Sequence, residues 1–136
     1  MNGLAFFDTN ILIYADDTTD PAKQSQAIDL ISDHQQRNMA ILSLQVLQEY
    51  YAAATRKLGM DAELAQRKVQ LLAKGRIVRI DEDDIVAAIE LHRFARVSFW
   101  DALIVQAARR GGAAVLYSED LQPGALIGGV RVVNPF

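Results

Sequence analysis

The sequence predicts an α/β three-layer sandwich, with a central, mostly parallel sheet of about five strands flanked by helices. Three observations lead there. Apolar runs of strand length alternate with stretches of helical length and period. Several of those runs are nearly continuous rather than alternating, as strands covered on both faces require. No repeat, low-complexity segment or Pro/Gly/Ser-rich linker interrupts the 136 residues, so one domain over 1–136 is expected, with 51% hydrophobic residues to fill its core.

Strands are expected at 4–7, 39–42, 76–80, 113–117 and 130–133, and helices at 21–37, 44–57, 61–72, 83–95 and 99–110, with a short helix beginning near Ile11. Pro21 suits a first helical turn, and Gly59, Gly75 and Gly111 suit helix ends.

Composition narrows the function. There is no cysteine, which removes disulfides, thiolate metal sites and a Cys nucleophile. Fourteen Lys plus Arg against seventeen Asp plus Glu give a net charge of −3, so a nucleic-acid partner cannot be held by a broad basic surface and bound cations must help. The pairs Arg56-Lys57, Arg67-Lys68 and Arg109-Arg110 read as solvated helix faces. The start Met1-Asn2-Gly3 carries no basic region, Leu4-Ala5-Phe6-Phe7 is too short for a signal peptide, and no run approaches a membrane span. A soluble, cytoplasmic protein without membrane contact is therefore expected.

In a parallel sheet with helical crossovers, strand C-ends and helix N-ends share one rim, where open α/β sheets place their ligands. Four acids fall there. Asp8 follows the first strand, Glu49 lies in the second turn of the helix after the second, Asp101 opens the helix over 99–110, and Asp120 lies just beyond Tyr117. Each also has a structural reading. Asp8-Thr9-Asn10 suits an Asx turn and helix cap, Ser98-Phe99-Trp100-Asp101 a capping box, and Ser118-Glu119-Asp120 a turn, with Glu119 an ambiguous neighbour. Glu49 stands at the margin of its helix's apolar arc, where a solvated glutamate is the usual occupant. Asp81, in Asp81-Glu82-Asp83-Asp84, is read only as a cap.

Crowded carboxylates repel and raise one another's pKa unless a cation sits among them. Oxygen ligands without Cys or a neighbouring His point to Mg²⁺ or Mn²⁺ rather than zinc. His34, in the polar run 33–38, and His92, beside Arg93 in a helix, have no partner acid at ligand spacing.

Phe7-Asp8-Thr9-Asn10, the 43–51 segment with Gln48-Glu49-Tyr50, Ser98-Phe99-Trp100-Asp101-Ala102 and Leu116-Tyr117-Ser118-Glu119-Asp120-Leu121 resemble the PIN domain in order and spacing, over essentially the whole chain. With the ending 128–136, the chain is most similar to the VapC-like ribonuclease toxins of bacterial type II toxin-antitoxin systems. The resemblance implies a PIN-like fold, an acidic quartet of Asp8, Glu49, Asp101 and Asp120 that is both catalytic and metal-binding, and support from Thr9, Asn10 and Ser118. It also implies Mg²⁺- or Mn²⁺-dependent RNA cleavage, inhibition by a cognate antitoxin protein, a homodimer and a larger toxin-antitoxin assembly. Pro123 departs from the family, whose members often carry His there. The expected mechanism is hydrolytic, with Asp8 and Asp101 as principal ligands, Glu49 and Asp120 acting through water or orienting the attacking water, and an in-line attack on phosphorus.

Rival chemistries fit less well. A haloacid-dehalogenase-type phosphatase needs a second Asp where Asn10 stands, and a phosphoacceptor receiver domain needs an acidic pair after the first strand and a lysine after the last. A catalytically silent PIN domain that binds protein or RNA remains the alternative.

Overall fold

The computed structural model describes residues 3–136; Met1 and Asn2, and with them part of the reading of the chain's start, lie outside the described residues. Six strands and six helices alternate: β1 (Ala5–Phe7), α1 (Thr9–Asp16), α2 (Pro21–Gln36), β2 (Ala40–Ser43), α3 (Leu44–Lys57), α4 (Ala62–Leu72), β3 (Arg76–Val78), α5 (Glu82–Ala95), α6 (Phe99–Arg110), β4 (Val115–Tyr117), β5 (Leu126–Ile127) and β6 (Val130–Val133). The predicted α/β sandwich is the observed fold. The sheet runs β3-β2-β1-β4-β6-β5 and is parallel except for β5, which pairs antiparallel with β6. That edge strand is the sixth against about five expected; its two residues are too few to show a period in sequence.

The strand order places the site. From β1 the chain crosses to β2 on one side, and β4 pairs on the other, so the carboxyl ends of β1 and β4 flank the point where the sheet's order reverses. Backbone bonds carry the register past both ends: Asp8 N donates to Tyr117 O at 3.0 Å, and Ser118 N to Val133 O at 3.0 Å.

Helix starts are written into the sequence at the same rim. Asp8 caps α1, Ser43 caps α3, Asp81 caps α5 in a full capping box with Asp84, and Ser98 caps α6. Helices α1 to α4 pack on one another, α5 packs on α6, and α6 lies against β2, β3, β4 and β6. The fully buried Phe6, Phe7, Ile41 and Leu116 from the central strands meet Ile11, Val46, Tyr50 and Ile104 from the helices in one core. No helix among the described residues is long and apolar enough to cross a membrane.

Gly111 ends α6 as expected, with a right-handed φ of −74°, and the left-handed residue is Gly112 at +78°. Two local readings change. His34 is buried at 8% exposure, with Nδ1 against Leu30 O at 2.8 Å and its ring edge-on to Phe7 and Tyr117, so it is a core residue despite its polar neighbours in sequence. The basic pairs are not uniformly solvated: Arg110 Nη1 reaches Asp84 at 2.7 Å and Asp81 at 3.1 Å, tying α6 to the cap of α5, and Lys68 reaches Asp16 at 2.8 Å.

Candidate active site

Asp8 is the buried member of the acidic group. Continuous burial of β1 delivers it to the rim, where it is 5% exposed, and its two oxygens have different partners: Oδ1 accepts from Thr9 N at 2.8 Å and Oδ2 from the Ser118 hydroxyl at 2.8 Å. Burial pushes its carboxyl up to about 6; the Ser118 and Thr9 bonds oppose this, and repulsion from Asp120 and Glu49 adds to it. Asp8 thus caps α1, one of the two roles read for it in the sequence.

Glu49 is half-buried and held rather than free. Thr9 Oγ1 donates to its Oε1 at 2.6 Å, and Gln45 Nε2 to its Oε2 at 3.1 Å. Gln45 Nε2 also contacts Trp100 O at 3.2 Å, linking α3 to the start of α6. Thr9 thus joins Asp8 and Glu49 through its backbone and its side chain.

Asp101 sits in the first turn of α6, where its backbone N–H donates to the Ser98 hydroxyl at 3.1 Å. The return bond of a capping box, present between Asp84 and the Asp81 N–H at 2.9 Å, is not made by Asp101. Partial burial raises its carboxyl, a hydrogen bond with Ser98 opposes that, and charge from Asp120 and Glu49 raises it further. Asp120 is the exposed member, and its N–H donates to the Ser118 hydroxyl at 3.1 Å. Asp8 and Asp101 each feel both Glu49 and Asp120, so the structure gathers all four acids into one electrostatic neighbourhood.

Among the described residues, no Lys or Arg forms an ion pair with any of the four. Other acids have one: Asp16 has Lys68, Asp84 has Arg110, and Glu119 has Lys23 at 2.6 Å. Sequence reading left Glu119 ambiguous; here it also accepts from the Tyr14 hydroxyl at 2.8 Å, and its partners hold its carboxyl down. Asn10 Oδ1 accepts from Glu119 N at 3.3 Å, while Asn10 Nδ2 is buried without a partner. Pro123 is exposed, in the turn after Leu121.

Two clefts open from the acids and share Asp120. One, of about 660 Å³, is lined by Thr9, Asn10, Tyr14, Glu49 and Glu119 among others; the second, of about 590 Å³, is lined by Arg96, Ser98, Asp101 and Gln122 among others. Sequence reading missed the second, because its walls come from the α5–α6 turn and the 120–127 segment, which carry no shared motif.

A family model of the PIN domain matches residues 5–123. This chain belongs to the PIN domain family. The match runs through β1, α3, α6 and β4, the PIN elements that deliver the four acids. Solved structures agree on the fold. A toxin-antitoxin complex from Klebsiella pneumoniae is similar at a TM-score of 0.71, with 23% identity over 97% of this chain and 98% of that one. VapC20 of Mycobacterium tuberculosis, described as a sarcin-ricin loop cleaving toxin, is similar at 0.71, with 24% identity over 93% and 98%. VapBC2 from Rickettsia felis, bound to a DNA fragment from its promoter, is similar at 0.69, with 17% identity over 95% and 96%. No relative among curated proteins matches the sequence.

The donor set suits a hard divalent cation: oxygen ligands of one sign, one of them buried, with no Lys or Arg paired to them. Their spacing is open, since among the described residues no three His, Cys, Asp or Glu side chains stand close enough together to hold a metal ion.

Proposed function

We propose that this PIN domain is a Mg²⁺- or Mn²⁺-dependent endoribonuclease and the toxin of a toxin-antitoxin pair. The observation that carries the reading is the cation-free set Asp8, Glu49, Asp101 and Asp120 at the point where the sheet order reverses. Likeness in fold to a toxin-antitoxin complex and to an RNA-cleaving toxin supports it. The reading brings with it one nuclease domain over 1–136, a cytoplasmic RNA substrate, an antitoxin protein that blocks the site, and a homodimer within a larger assembly.

Asp8 and Asp101 would hold the cation, Asp8 with its orientation set by Ser118 and Thr9. Glu49, fixed by Thr9 and Gln45, and Asp120, at the mouth shared by the two clefts, would orient the attacking water and accept its proton. Asn10 and Ser118 keep the loop after β4 in register with α1, which sets the height of Asp120 above the sheet. A divalent cation bound there would supply water activation near neutral pH and neutralise charge developing on the phosphate.

The open spacing of the acids favours a second reading, a silent PIN domain that binds RNA or protein without cleaving it. A ribonuclease assay on protein stripped with EDTA and resupplied with Mn²⁺ separates the two. The parent is expected to cleave, and folded Asp8→Asn and Asp101→Asn variants to be slower by roughly 100-fold or more. Asp8→Asn cleaving as fast as the parent sinks the site assignment; a parent inert at saturating Mn²⁺ with no antitoxin present establishes the silent module.

A further inference from the structure

The second cleft holds the inference. Arg96 ends α5 in the left-handed region, φ 57° and ψ 36°, where glycine is the favoured residue. Local folding therefore does not select arginine there. The side chain is exposed and, among the described residues, has neither hydrogen bond nor ion pair, unlike Arg110 or Lys23. It lines the same cleft as Asp101 and Asp120, so an unpaired cation stands beside a site whose own charge is entirely negative.

The rest of the cleft has a second character. Val97, Leu121 and Ile127 supply apolar wall, and Gln122, exposed and with its side-chain amide unbonded, supplies both donors and an acceptor. About 590 Å³ lies within the roughly 300–1,000 Å³ of small-ligand sites. A guanidinium for a phosphate, an apolar wall for a ring and an amide for its edge together match one nucleotide.

We propose that this cleft is a nucleotide subsite for single-stranded RNA, beside the scissile phosphate: Arg96 binds the neighbouring phosphate, the base lies on the Val97–Leu121–Ile127 wall, and Gln122 reads the base edge. The proposal rests on the ribonuclease reading and gives it a place for sequence preference. Duplex RNA does not fit, because the base must leave its stack to reach the wall. The net charge of −3 makes one well-placed cation matter more than it would on a basic protein.

The test uses the full chain and labelled 12-nucleotide single-stranded RNAs, one of random sequence and four homopolymers. Binding is measured in EDTA across a salt series, and cleavage in Mn²⁺. Arg96→Gln is expected to weaken binding about 3- to 10-fold at low salt and to lower the slope of log affinity against log salt by about 0.7, the share of one phosphate on a single strand. Arg96→Lys should restore the slope. Gln122→Ala should alter the ranking of the homopolymers and leave the slope alone. Arg79→Gln, exposed and outside both clefts, is the control and should match the parent. A parent that cleaves RNA while Arg96→Gln binds like Arg79→Gln overturns the subsite and leaves the ribonuclease reading standing. A parent that neither binds nor cleaves RNA overturns both.

Discussion

The Ser118 hydroxyl donates to Asp8 Oδ2 at 2.8 Å and accepts the Asp120 N–H at 3.1 Å, so one fully buried hydroxyl joins two acids 112 positions apart in the chain. Its bond holds the Asp8 carboxyl below the value that burial alone would set. Ser118→Ala should therefore raise that carboxyl above about 6. Since a metal ligand must be deprotonated, protons will compete better with the cation. The half-saturating Mn²⁺ concentration for cleavage should rise more steeply in the variant than in the parent as pH falls from 7.5 to about 6. Parallel curves would show that Ser118 does not tune Asp8.

Asp8 should cost stability in the metal-free protein. Its folded carboxyl sits at about 6, raised from 3.8, mainly by burial, so the folded state binds the proton more tightly than the unfolded chain does. The cost is absent below the unfolded value, grows as pH rises through the window between the two, and is fully present above about 6. Asp8→Asn should accordingly be more stable than the parent in EDTA at pH 7.5, by up to about 3 kcal/mol, with the gap closing by pH 4. Urea unfolding at the two pH values measures it. An equal or less stable variant at pH 7.5 contradicts the burial argument.

Divalent cation should reverse that cost. Mn²⁺ binding only the folded state at 100 times its dissociation constant adds about 2.7 kcal/mol. The parent's Tm should rise with Mn²⁺ and fall back on adding EDTA, while Asp8→Asn responds little. A parent whose Tm does not respond to Mn²⁺ added in large excess argues for the silent module.

Away from the site, Gly111 marks a close approach of α6 to the sheet. A Cβ there would stand 2.7 Å from Val78 Cγ2 and 3.2 Å from Ile41 Cγ2. Its φ of −74° suits any residue, so the expected loss from Gly111→Ala is steric, about 1–3 kcal/mol. Chemical denaturation checks it, and a neutral or stabilised variant would mean that β2 and β3 give way freely.

Much of the molecule is legible in its sequence. The continuous apolar runs marked buried parallel strands, and β6 and the helices α3 and α6 begin and end where the pattern places them. The caps Asp8, Ser98 and Asp81 followed from residue type alone, since short polar side chains reach their own backbone. Period and capping are local properties, and sequence carries local properties directly. The four acids were singled out by their positions at strand and helix ends together with the PIN resemblance, while Glu49 by position suited a solvated role better than a functional one.

Tertiary structure decided what depends on residues far apart in the chain. Burial of His34 against Phe7 and Tyr117, the hold of Thr9 on Glu49 and the Lys23–Glu119 pair are such contacts. None has a spacing for sequence to show. The same holds for the acids. Sequence alone led to four carboxylates at one rim of an α/β sheet; the fold decided that Asp8 is buried and raised and that, among the described residues, no Lys or Arg pairs with the four while Arg96 stands unpaired in the neighbouring cleft. Charge balance and desolvation are set by which surfaces meet, and only the folded chain brings those surfaces together.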